Sequence, residues 1–123
     1  MKTNLTITSL LGIMAIILGA FGAHALKEKL GPEALQSFET GVRYQMYHVI
    51  VLLFINTYSG FSANIKNRIS LLFFVAILFF SGSIYAISTG LIMAKSIWII
   101  TPLGGLLFIV GWLLMLIEFM KKK

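Results

Sequence analysis

The side chains able to do chemistry in this 123-residue chain are few and cluster in sequence. Both histidines, three of the four acids and three of the ten bases fall between Gly19 and His48, in GAFGAHALKEKLGPEALQSFETGVRYQMYH. Tyr44 and His48 are four apart and share one helix face, with Arg43 and Gln45 beside them. Ser81, Tyr85 and Ser88 recur at helical spacing further on, and Thr101 follows. His24, Arg43, Tyr44, Gln45, His48, Ser81, Tyr85 and Thr101 are therefore the candidate polar site. Three chemistries suit it. It could be a hydrogen-bonded clamp between helices, because buried polar groups in lipid need partners. It could bind a small ligand or a proton, because an imidazole titrates near neutrality. Or His24 and His48 could ligate a haem or join a metal site. Two histidines without further ligands, in a chain without cysteine, assign no metal and no cofactor. No paired carboxylates lie within a span, and no Ser-His-Asp set, Gly-rich phosphate loop or HExxH is present, so the chain is not expected to be an enzyme.

The elements that must position these residues are helices in lipid. Hydrophobic residues make up 59% and charged residues 11%, against about 25% charged in soluble domains. The net charge of +6 comes from bases flanking apolar runs. That pattern marks membrane topology and anionic-lipid contact, not nucleic acid. The expected fold is all-α: a single polytopic membrane domain over 1–123, forming an antiparallel bundle of four transmembrane helices. The spans are 5–26, 42–59, 69–89 and 97–120. The first run is too long for the apolar region of a signal peptide, although Ala23-His24-Ala25 resembles a cleavage site. Gly31-Pro32-Glu33 predicts a helix start. An amphipathic helix over 32–41 is expected to lie along the interface, with Glu39 and Arg43 spaced for an ion pair. Ser59-Gly60-Phe61-Ser62 ends the second span, and Lys66 and Arg68 follow in a polar loop. Trp98 is expected to anchor span four, and Glu118 to pair with the terminal lysines.

Whether the histidines meet depends on Gly41. A straight helix from Pro32 leaves His48 about 24 Å below its start, too deep for His24. A bend near Gly41 brings both to about 10 Å depth, and the bend is the favoured reading. Small residues make smooth faces for helix packing: Ala15, Gly19 and Ala23 at four-residue spacing, Gly82, and Gly104 with Gly111. Six bases flank the termini and 66–68, against four on the other side, so both termini are expected in the cytoplasm and the chain in the inner (cytoplasmic) membrane. The leading function is an accessory or scaffold protein acting through helix–helix association. Its partners are the bilayer and a second copy or a larger membrane complex. The alternative is a ligand-binding or proton-coupled transport site around His24 and His48, and the third is a haem protein.

The motifs GAFGAHAL, TGVRYQMYH, FSGSIY and TPLGGLLFIVGWLLM, in that order, resemble the YgdD-like family of small bacterial membrane proteins. The resemblance runs from about Gly12 to Met115. It implies a four-helix integral membrane protein with an intact first span, in a family of unknown function, and carries over no functional residues.

Overall fold

The computed structural model describes residues 2–93, 95 and 99–121. They form four helices: α1, Lys2–His24; α2, Pro32–Thr57; α3, Ala63–Ser88; and α4, Ile100–Lys121. Three of them, α1, α3 and α4, are long and apolar enough to cross a membrane. α2 carries Glu33, Glu39 and Arg43 in its first half, so only its second half is free of acids, lysine and arginine. Trp98, Lys122 and Lys123 lie outside the described residues.

Local chemistry sets the helix ends. Pro32 follows an extended Gly31, with Glu33 in the first turn. Ser62 caps α3 by accepting from the Ile65 N–H at 3.3 Å. α3 therefore starts six residues before the expected span, and Lys66 and Arg68 lie on its first turns rather than in a loop. The backbone of α3 is π-helical at Leu78–Gly82 and then returns to α.

Side-chain contacts set the register. Gly12 faces Val49, Gly19 faces Val42 and Gly22 faces Phe38, so α1 and α2 are antiparallel. Gly41 faces Tyr85 while Asn56 bonds Ser70, and Gly104 faces Phe80 while Gly111 faces Phe73. The chain thus runs up, down, up, down. α2 is central: Phe38, Gln45, His48, Val49, Leu52, Ile55 and Asn56 are all buried on it. Leu52, Ile55, Ile69, Phe73, Phe108 and Met115 form the apolar core between α2, α3 and α4. α1 turns an apolar face outward, with Leu10, Ile13, Ile16 and Ile17 each more than half exposed. Lipid tails are as apolar as these side chains, so such a face is stable only in a bilayer.

Two expectations are corrected here. α2 runs as one helix through Gly41, so 32–41 is not a separate element. Phe38 on that stretch is only 2% exposed, packed against Gly22 and the Tyr85 ring, and these contacts hold the helix to its neighbours. The small stripe of α1 also shifts. Ala15 is buried and Gly19 meets α2, but Ala23 is exposed and Gly22 takes its place. At about 100° per residue, position 22 falls about 20° from Ala15 around the axis, whereas position 23 falls about 80° away.

Candidate functional site

Gln45 joins three helices. Its Nε2 donates to the Leu11 carbonyl of α1 at 2.7 Å, and its Oε1 accepts from the Tyr85 hydroxyl of α3 at 2.7 Å. One turn earlier on α2, the Gly41 carbonyl accepts from Ser81 Oγ at 2.7 Å. Gly41 allows this approach, since a Cβ there would stand 2.9 Å from the Tyr85 ring. The π segment re-aims α3 within these few residues. Ser81 and Tyr85 turn to α2, while Ser83 bonds the Thr101 hydroxyl of α4. Single π turns of this kind recur at functional sites. Ser88, expected on the same face, donates back to the Ile84 carbonyl of its own helix.

His48 sits in an aromatic cage on the α4 side. Its ring stacks on Phe108 with centroids 3.8 Å apart, and Phe73 meets it edge-on at 5.0 Å. Trp112 Nε1, which can only donate, points at His48 Nε2 at 3.0 Å. Nε2 must therefore accept, and Nδ1–H donates to the Tyr44 carbonyl at 2.7 Å. Both ring nitrogens are occupied.

The eight expected site residues do not form one pocket. Gln45, Ser81 and Tyr85 make one network, Thr101 joins Ser83, and His48 is caged separately. Tyr44 contributes its carbonyl to His48 and rests its half-exposed ring on Phe80 at 5.0 Å. Arg43 is exposed and donates to Thr40 Oγ1 at 3.1 Å rather than pairing with Glu39. His24 is exposed at the end of α1. The α1–α2 register puts His48 level with residues 12–13, about eleven residues and so about 16 Å from His24. Within one chain the two cannot share a haem iron, a metal or a proton. The convergence expected from a bend at Gly41 fails because α2 continues as one helix through Gly41, packed along α1 in a register that sets His48 far from His24.

Residues missed by sequence reasoning close the other end. Asn4 Nδ2 donates to Asn56 Oδ1 at 3.0 Å and to Asn67 Oδ1 at 2.9 Å, and Asn56 Nδ2 reaches Ser70 Oγ at 2.8 Å and the Leu52 carbonyl. Asn56, the one strongly polar residue of its span past His48, was the signal. Trp112 and Phe108, four apart on α4, gave none before the His48 position was known. Asn56→Leu is expected to destabilise the fold by about 1 kcal/mol, because the Ser70 hydroxyl can rebond within its own helix. Unfolding in detergent would show it as a lowered midpoint, and an unchanged midpoint would mean that the amide ties nothing together. Glu118 pairs with Lys121 at 3.4 Å, as expected.

Between α1 and α3 lies a groove of about 310 Å³. Ile7, Leu11 and Met14 form one wall, Phe74, Ile77 and Leu78 the other, and Gln45 with Tyr85 the floor. Gly82, expected to admit a neighbouring helix, lines this groove instead; the atom nearest its would-be Cβ is Leu78 Cδ1 of its own helix, at 3.8 Å.

A family model described as a protein of unknown function, DUF423, matches residues 18–105. The chain belongs to the DUF423 family. The DUF423 match runs from the end of α1 through α2 and α3 to Gly105, and so contains Gln45, His48, Ser81, Tyr85 and Thr101. The chain is 44% identical over 117 residues to the UPF0382 membrane protein SSP2132 of Staphylococcus saprophyticus, covering 95% of this chain and 96% of that protein. It is 35% identical over 123 residues to the UPF0382 membrane protein YwdK of Bacillus subtilis, covering 98% of each. A UPF0382 membrane protein of Haemophilus influenzae is 40% identical over 111 residues, covering 89% of this chain and 86% of that one. No solved structure matches the chain. The motif reading thus holds at the level of a membrane-protein family of unknown function, whereas the narrower YgdD-like label finds no support in these matches.

Proposed function

We propose that this DUF423 protein is an accessory protein of the inner (cytoplasmic) membrane, with four spans and both termini cytoplasmic, that acts by association inside the bilayer. α2 is the second span. Its 26 residues extend about 39 Å, about 9 Å more than the roughly 30 Å of hydrocarbon, so Glu33 stands in the head-group layer, Glu39 at its inner edge, and Arg43, about 16 Å along the helix, reaches back toward it with its long side chain. The terminal side carries Lys2, Lys66, Arg68 and Lys121 to Lys123, against Lys27, Lys29, Arg43 and Lys95 opposite, which supports the orientation.

One observation carries the functional reading. The polar side chains inside the bundle are spent on one another: among the described residues, no buried side-chain nitrogen or oxygen lacks a partner. The α1–α3 groove is open to the bilayer and apolar, and it is sized for side chains of another transmembrane helix. Transport or catalysis would need polar groups free to meet a substrate, whereas association in lipid needs only surfaces that fit. The small residues of α1 that looked available to a partner are used within the chain against α2, so the groove takes over that part.

A photoreactive amino acid at Met14 or Leu78 tests this in native membranes. A protein adduct, either a second copy or another subunit, is the expected product. Adducts with phospholipid alone would overturn the association reading. A second reading, a hydrophobic ligand with one polar group, is favoured by the floor: the Gln45 amide keeps a second N–H beyond its bond to Leu11. A small-molecule adduct at the same positions would select it.

A further inference from the structure

We propose that the α3–α4 seam, on the face carrying both termini, binds one anionic phospholipid. A cavity of about 200 Å³ opens there, between the first turns of α3 and the last turns of α4. Arg68 enters it from α3, and Lys121 and Glu118 from α4. The apolar walls are Ile65 and Ile69 of α3 and Leu114 and Ile117 of α4. Leu114, Ile117 and Lys121 follow one another at helical spacing, so one stripe of α4 passes from apolar to basic toward the chain end. A phospholipid has the same gradient, from acyl chain to charged head group.

Charge selects the head group. Glu118 pairs with Lys121, and that is the only ion pair among the described residues. Arg68 is exposed and has no carboxylate partner there. Lys66, two residues earlier, is 6% exposed and also makes no ion pair, but it does not line the cavity. The lining of the seam thus carries one net positive charge, that of Arg68, which nothing within the described residues neutralises. A guanidinium can clasp two phosphate oxygens at once, and the Lys121 ammonium adds a point charge from the facing wall. A lipid of phosphatidylglycerol type satisfies both and lays its chains over Leu114 and Ile117. A zwitterionic lipid brings a second cation into a site already basic. Basic pockets between helices at a membrane surface are the expected home of such head groups.

The full-length protein, purified in detergent and offered equal amounts of phosphatidylglycerol and phosphatidylcholine, is the test object. Native mass spectrometry should show one phosphatidylglycerol retained in preference. Each basic residue at an anionic surface contributes about fivefold, so Arg68→Gln with Lys121→Gln should lower that retention about 25-fold. Both residues are exposed, so the substitutions leave the core intact. Lys27→Gln with Lys29→Gln, at the opposite end, should leave retention unchanged. Equal retention of the two lipids would overturn the site. So would an equal loss in the opposite-end variant, or displacement of the lipid by inorganic phosphate. None of these outcomes depends on what occupies the α1–α3 groove, so this site and the association reading fail separately.

Discussion

Gly104→Ala should lower the stability of the folded bundle by about 2 kcal/mol, although alanine is by about 1 kcal/mol the better helix former. The reason is what the new methyl group would meet. A Cβ at position 104 would lie 2.8 Å from Phe80 Cα and 2.9 Å from the Phe79 carbonyl carbon. These are backbone atoms and cannot rotate away, so α4 would have to back off from α3. That movement would pull Thr101 from Ser83 and loosen Phe108 from the His48 ring. In lipid, close packing is the main force holding helices together, so the lost contact has little to replace it. Gly105→Ala is the matched control. Its nearest neighbour would be Phe80 Cδ1 at 3.8 Å, an ordinary contact, so it should be neutral or stabilise by up to about 1 kcal/mol. Thermal unfolding of the two variants in one detergent should shift the midpoint down for residue 104 and not down for residue 105. A common shift would mean that the π segment and α4 do not meet as described.

Gln45→Leu should be the most damaging polar substitution, at about 2–3 kcal/mol. The side chain is 2% exposed and holds α1 and α3 to α2 through two short hydrogen bonds. Leucine fills a similar volume but strands the Tyr85 hydroxyl beside an apolar groove, and an unmatched buried hydroxyl costs about 1–3 kcal/mol. Tyr85→Phe in the same background removes the stranded group, so the double variant should recover part of the loss. The cycle built from the two single variants and the double measures the coupling directly. Additive losses would show that Gln45 and Tyr85 act independently. The Leu11 carbonyl is the third member, and α1 packs chiefly along α2. The same variant should therefore release α1 first, read as early protease cleavage in the turn at 25–31.

Composition alone determined the solvent, because 59% hydrophobic residues leave lipid as the only medium that accepts the outer faces of α1 and α4. Apolar run length and turn residues determined the helices, and Gly31-Pro32 placed the start of α2 to the residue, whereas the Ser62 cap that starts α3 at Ala63 reads in sequence as part of a loop. Membership of a membrane-protein family of unknown function was legible in four short motifs, and the narrower family label was not. Gly104 and Gly111 announced a close approach, since glycine in a span has little other use. What none of this contains is rotation and depth. Whether α2 breaks at Gly41 turns on Phe38, Gly22 and Tyr85 packing together from three helices, and no local propensity records that. That single outcome separated His24 from His48. It made Gln45, one candidate among eight in the sequence, the centre of the polar network. The partner of His48 came from Trp112, 64 residues away, because only the folded bundle decides which donor lies opposite an imidazole in a place without water.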